Sequence, residues 1–126
     1  MLNPSKHNRR KERRLTIQEG VFAALRPHFK KLGKVNDISL NGLSFDYISN
    51  GSSSEGHLEV DLFGTKKTFY LGQIKCRVVS DSQMDNQTPL SSLRISRLSL
   101  EFETLTDEQI SKLKHVIRNY SERTSQ

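Results

Sequence analysis

The chain reads as a mainly β domain: a six-stranded antiparallel β-barrel, preceded by a flexible basic arm and closed by one C-terminal α-helix. Three observations lead there. Short runs of alternating apolar and polar residues recur from Val21 to Phe102, separated by clusters of Gly, Asn, Ser and Pro. Positive charge is concentrated in the first fourteen residues, and sustained helical spacing comes last, after Leu105. A length of 126 residues suits one domain, and 33% apolar residues, with six Phe and three Tyr, suffice for one small core.

Residues 1–19 form the arm. Lys6, Arg9, Arg10, Lys11, Arg13 and Arg14 stand against one acid, Glu12, a local balance of +5 out of the total of +6. Such a block repels itself and stays disordered until anions neutralise it, whether nucleic acid, an anionic lipid surface or a phosphorylated small molecule. Leu15 and Ile17, near its end, are its apolar anchors.

Residues 20–126 make the domain. Val21 to Leu25 is a short apolar strand closed by Pro27, and Leu32 to Leu40 is the next, with a bulge expected at Gly33. Along its second half Ile38 and Leu40 point one way while Asp37 and Ser39 point the other. Asn41-Gly42 tolerates positive φ at both central positions of a two-residue hairpin, after which Leu43, Phe45 and Tyr47 resume the alternation. A loop from Asn50 to Gly56 leads to His57–Phe63, with Leu58, Val60 and Leu62 inward. Gly64 to Lys67 turns the chain into Thr68–Val79, where Tyr70, Ile74, Cys76 and Val78 share the inward parity and Gly72 marks a bend. Ser80 to Ser92, polar and containing Pro89, is expected as the longest surface loop. In Leu93–Phe102 the inward set changes from Leu93 and Ile95 to Leu98, Leu100 and Phe102, which calls for a bulge near Ser96.

The helix spans residues 106–122. Thr106 and Gln109 form a capping box, Leu105 and Ile110 a hydrophobic staple, and Asp107 and Glu108 suit the positive end of the helix dipole. Ile110, Leu113, Ile117 and Tyr120, with Val116 beside them, make one apolar stripe that must lie on the sheet.

Several function classes lack support. The single cysteine, Cys76, on the inward parity of its strand, reads as a buried inert thiol, excludes an internal disulfide and fits a reducing compartment. His7, His28, His57 and His115 are scattered without metal-ligand spacing, so no metal is expected. No run is long enough to span a bilayer, and the basic start lacks the apolar segment of a secretory signal, so a cytoplasmic location is expected. No nucleophile elbow, phosphate loop or placed pair of acids suggests an enzyme.

Asp37 and Ser39, read alone, are ordinary outward strand residues. They gain meaning beside the arm, because Arg10-x-x-x-Arg14 followed after 22 residues by Asp37-x-Ser39-x-x-Gly42 resembles the paired motifs of PilZ domains, bacterial receptors for cyclic di-GMP. The strand ending Leu100-Glu101-Phe102 and the terminal helix are also similar to that family, with Ser99 where it often has glycine. The resemblance implies a PilZ-type barrel whose ligand is cyclic di-GMP, bound by Arg9, Arg10, Arg14, Asp37, Ser39 and Gly42, with no cofactor. A guanidinium can fork onto phosphate, pair with the O6 and N7 edge of guanine, or stack on the base. The Asp37 carboxylate suits the N1 and N2 protons of guanine, Ser39 adds a hydroxyl contact, and Gly42 lets the backbone come close.

The resemblance assigns Arg9, just before the first motif arginine, to binding an intercalated pair of nucleotides, although it also reads as a solubilising neighbour. Arg9-x-x-x-Arg13 is an alternative register; Leu15 after Arg14 favours the one given. The implied mechanism is an ordering switch in which the ligand folds the arm onto the barrel and the new surface meets an effector protein. Two alternatives stand beside it: a nucleic-acid-binding protein whose arm tracks phosphates, and a PilZ-like protein-interaction module that binds no nucleotide.

Overall fold

The protein's structure, a computed structural model, describes residues 15–16, 20–26, 31–49, 52–65, 69–84 and 94–120. The strands are β1 (Leu15–Thr16), β2 (Val21–Leu25), β3 (Leu32–Ile38), β4 (Gly42–Ile48), β5 (His57–Gly64), β6 (Phe69–Gln83) and β7 (Ile95–Phe102), followed by α1 (Asp107–Tyr120). All pairings are antiparallel in the order β3-β2-β5-β6-β7-β4, and β4 returns to β3, closing a six-stranded barrel. Closure leaves no long open edge to recruit other strands. β1 lies within the segment expected as an arm and pairs with the end of β3, beyond the residues that β2 covers.

Alternation fills the interior. Val21, Ala23, Val35, Ile38, Leu43, Phe45, Val60, Leu62, Ile74, Cys76, Leu98 and Leu100 are fully buried, and Leu113, Val116 and Tyr120 of α1 close the core from outside the strands. The capping box forms as expected: Gln109 N–H donates to Thr106 Oγ1 and Thr106 N–H to Gln109 Oε1, both at 3.0 Å. Leu105 and Ile117 pack on the core, and the Phe69 and Tyr120 rings meet edge-on at 5.4 Å.

Three register shifts set which residues face inward, and they correct several expectations. In β3 the extra residue is Asn36, between Val35↔Phe45 and Asp37↔Ser44, not Gly33. Gly33 pairs regularly with Tyr47; its role is close approach, because a Cβ there would stand 1.6 Å from the Asp46 carbonyl oxygen. In β6 the bend expected at Gly72 is a bulge in which Gly72 and Gln73 oppose Asp61. It moves the inward position to Leu71, so Tyr70, expected inside, is exposed. A third shift at Val79 adjusts β6 against a β7 that pairs regularly with β4 throughout. No bulge occurs near Ser96; Ile95 points outward, and the inward set is Ser96, Leu98, Leu100 and Phe102.

The polar stretch from Ser80 also departs from expectation. β6 continues to Gln83 because residues 80–83 pair with β7, and Asp81 anchors them. Its side chain, 4% exposed, accepts from Tyr47 Oη (2.6 Å), Lys31 Nζ (3.2 Å) and Ser54 N–H (2.7 Å), while Lys31 Nζ also donates to the Ser52 carbonyl (3.0 Å). Burial and the neighbouring Asp81 carboxylate push the Tyr47 phenol well above its ordinary range, so it stays a donor. The network ties β3, β4, β6 and the 52–54 loop together at one end of the barrel.

Gly33→Ala should lose roughly 2–4 kcal/mol of unfolding free energy, because backbone rather than a movable side chain occupies the space. Urea denaturation checks this, and an unchanged midpoint would contradict the close approach. Burial, reinforced by the charges of Glu103 and Glu59, pushes the Cys76 thiol up to about 12. A maleimide should therefore label Cys76 only as fast as the protein unfolds, with urea accelerating labelling in step with lost structure.

Candidate ligand-binding face

The outer wall around Asp37 is created by the bulge. With Asn36 extra, Val35 and Ile38 are both interior and Asp37 turns outward, half-buried on β3. Opposite it on β4, Ser44 donates from Oγ to Asp37 Oδ2 at 2.9 Å and fixes the carboxylate's orientation. Ser44 is itself buried, so this contact is shielded from water.

The turn differs from the expected Asn-Gly hairpin. Ser39 N–H donates to the Gly42 carbonyl at 2.9 Å, and Ser39 Oγ accepts from Asn41 N–H at 2.9 Å, closing the turn over Leu40 and Asn41. Neither Asn41 nor Gly42 has positive φ; among described residues only Gln73, Gly20 and Gly56 do. Gly42 is instead the first residue of β4, buried and paired with Glu101, and Phe102 N–H donates to the Asn41 carbonyl at 2.7 Å. Ser39, expected outside with Asp37, is 3% exposed and acts first on the turn, although its hydroxyl can still donate its own proton.

One step along the same wall Arg97 forks onto Asp46, with Nε to Oδ1 at 2.8 Å and Nη2 to Oδ2 at 3.2 Å, while Asn36 Nδ2 donates to the same Oδ1 at 2.8 Å. Burial opposes ionisation of Asp46, but Arg97 and Asn36 outweigh it and hold its carboxyl below the usual range. The bond to Asp46 and, more weakly, the field of Asp37 raise the Arg97 guanidinium against the cost of burial. Sequence reasoning missed Asn36, Ser44, Asp46 and Arg97. The spacing of Val35 and Ile38, three apart in a strand, is the signal that would have placed the bulge.

Arg9, Arg10 and Arg14 lie outside the described residues. Leu15, bonded to Arg14, pairs with Ile38, and Thr16 pairs with Asp37. The structure therefore joins the chain directly after the arginine cluster to the strand carrying Asp37. Two open clefts lie elsewhere, about 380 Å³ beside His57 and Glu103 and about 410 Å³ between α1 and Tyr70. No group of His, Cys, Asp and Glu suited to a metal occurs among the described residues, and no helix is long and apolar enough to cross a membrane.

The family model for the PilZ domain matches residues 8–119. Among solved structures the chain is similar to the PilZ domain with c-di-GMP of YcgR from Escherichia coli, at a TM-score of 0.66 and 15% identity, covering 89% of this chain and 91% of that one. It is also similar to MrkH of K. pneumonia in its apo state, at 0.66 and 14%, covering 86% of this chain and 47% of that one. YcgR in complex with c-di-GMP from Escherichia coli gives 0.56 and 16%, with 87% and 45% covered. The chain thus spans less than half of these last two. No curated protein matches the sequence significantly. At such identities the structural likeness is one of fold.

A second acid, Asp61, is held low in the same way as Asp46: burial opposes its charge, and Arg26, the Gln73 N–H and Tyr70 together overcome it. For both groups the folded value lies below the unfolded one, so acid drives proton uptake by unfolding. Their contribution is complete above the unfolded carboxylate value of about 4 and is lost as pH falls through the folded values. Denaturant midpoints measured from neutral pH downward should fall across that window. Asp46→Asn should flatten the decline, and an unchanged pH slope would show that Asp46 is not held low.

Proposed function

The chain belongs to the PilZ domain family, and on that premise we propose that it is a receptor for cyclic di-GMP rather than an enzyme. The observation that carries the proposal is the β1–β3 pairing, because it ties the arginine-bearing segment to the strand of Asp37. Arg10 and Arg14 act as forks on phosphate and on guanine, and Asp37, oriented by Ser44, accepts the N1 and N2 protons of a guanine. Ser39 donates a short hydroxyl bond, and Gly42, buried at the start of β4, sets no side chain between the ligand and the turn. Arg9 adds the charge needed to hold an intercalated nucleotide dimer. That c-di-GMP accompanies the similar YcgR structures supports the ligand class.

The signal is ordering of residues 1–19. Six basic residues with one acid repel one another until phosphates neutralise them, and ordering entropy is then offset by charge-assisted bonds and stacking. The arranged arm and barrel wall meet an effector protein in the cytoplasm of a bacterium. The carboxylate of Asp37 separates this reading from plain nucleic-acid binding, since it repels phosphate and recognises guanine.

Isothermal titration of cyclic di-GMP tests the proposal. Wild type should bind saturably, and Arg14→Ala and Asp37→Ala should each weaken binding by at least about tenfold, the scale of one lost bond to a charged group. A stoichiometry of two nucleotides per chain, reduced to one by Arg9→Ala, would support the role of Arg9. A folded wild type that gives no heat and does not compete for labelled nucleotide would sink the receptor reading.

A further inference from the structure

The outer wall of β3, β4, β7 and β6 carries an apolar row distinct from the Asp37 segment. Ile48 pairs with Ile95, Met84 N–H donates to the Ile95 carbonyl at 2.8 Å, and Leu32 continues the register one residue beyond Gly33↔Tyr47. All four side chains point away from the core and are 36–59% exposed. Three adjacent strands, with Met84 just past the end of β6, thus present large apolar groups side by side. Together they show on the order of 300 Å² of apolar surface, a size at which a monomer's largest patch is often functional.

The neighbouring row says what covers it. Two residues along each strand stand Lys34, Asp46, Arg97 and Ser82, mutually paired across the wall. The charge order is therefore plus, minus, plus, neutral. Consider a two-fold axis in the contact plane, parallel to the strands and midway between β4 and β7. It exchanges those two strands, so Ile48 meets Ile95 of the second copy and Asp46 meets Arg97 of the second copy. Each carboxylate gains a second guanidinium and no like charges face one another at the centre. An isologous contact requires this self-complementarity.

We infer that this wall is a homodimer interface, with Ile48 and Ile95 at its centre and the Asp46–Arg97 pairs of both copies alternating beside it. The convex barrel confines contact to β4, β7 and their flanking strands. The apolar row alone falls short of the ~800 Å² per partner of a standard interface, so the charged row must contribute and the dimer is weak. Its self-association is reversible and depends on concentration.

Sedimentation velocity of the full chain without nucleotide, from low micromolar to near-millimolar concentration, tests this. Wild type should shift from the 14.5 kDa monomer toward twice that mass. Ile48→Lys, at an exposed site and with its folding checked by circular dichroism, should remain monomeric throughout. Asp46→Lys and Arg97→Glu each set like charges against one another in their own homodimers and should be monomeric alone. An equimolar mixture of these two variants pairs opposite charges again and should restore the dimer. A wild type that stays monomeric, a dimer indifferent to Ile48→Lys, or a mixture that fails to associate would overturn the inference.

Discussion

Side chains alternate along a strand, so Val35 and Asp37 would share the interior face if β3 paired with β4 without interruption. Placing an unpaired carboxylate in an apolar core costs several kcal/mol, enough to cancel much of a small domain's stability. Asn36 removes the conflict. As the extra residue it lets Val35 and Ile38 both fill the core while Asp37 emerges on the wall. Its own amide then holds Asp46, which Arg97 engages from β7. One inserted residue thereby positions the Ser44-oriented carboxylate of Asp37, a fixed ion pair and the strand segment to which β1 attaches.

The other two buried acids show a similar solution elsewhere in the barrel. Asp61 lies opposite the Gly72–Gln73 bulge and is satisfied by Arg26, Tyr70 and the Gln73 amide, whose left-handed φ of 57° it helps to hold. Tyr70 folds back over Gly72: a Cβ there would come within 2.2 Å of the phenol oxygen and displace the ring. Asp81 is satisfied by a tyrosine, a lysine and a loop amide from three distant segments. Buried ion pairs of this kind add little net stability compared with apolar packing, but removing one partner strands a charge. Their use here is to penalise any other register of the long, twice-bulged β6.

The fold was legible because alternation and capping are local. Val21–Leu25, His57–Phe63, the Thr106–Gln109 box and the stripe of Leu113, Val116 and Tyr120 each follow from neighbours in sequence, and the structure realises them. What alternation could not place were the bulges, since each depends on the partner strand: Asn36 on β4, Gly72–Gln73 on β5 and Val79 on β7. Misplaced bulges put Tyr70 and Ile95 on the wrong face. The polar run after Ser80 looked like a loop because its anchors, Lys31 and Tyr47, lie more than thirty residues away. At the candidate site the outward face of Asp37 was readable from its alternation with Ile38, whereas Ser44, Asn36 and Arg97 came together only through cross-strand pairing. The turn misled for a different reason: Asn41-Gly42 has the residues of a tight hairpin, but the Ser39 hydroxyl captures the Asn41 amide and closes the turn one residue earlier.

The distribution of charge is compatible with one small barrel serving both the proposed ligand and the inferred second copy of itself. A net charge of +6 would oppose self-association if it were spread evenly, but +5 of it precedes Leu15 and the rest of the chain is nearly neutral. β1, which follows that charge in sequence, pairs at Asp37, level with Ser44, whereas Ile48 lies four residues further along β4. At about 3.3 Å per residue the separation is roughly 13 Å, beyond the ~8 Å over which exposed charges interact at physiological salt. The local Asp46–Arg97 pattern, by contrast, lies directly beside the apolar row. In the proposed receptor and the inferred dimer, ligand phosphates and the second copy would therefore draw on different charges along the same strands, with the bulge at Asn36 between them.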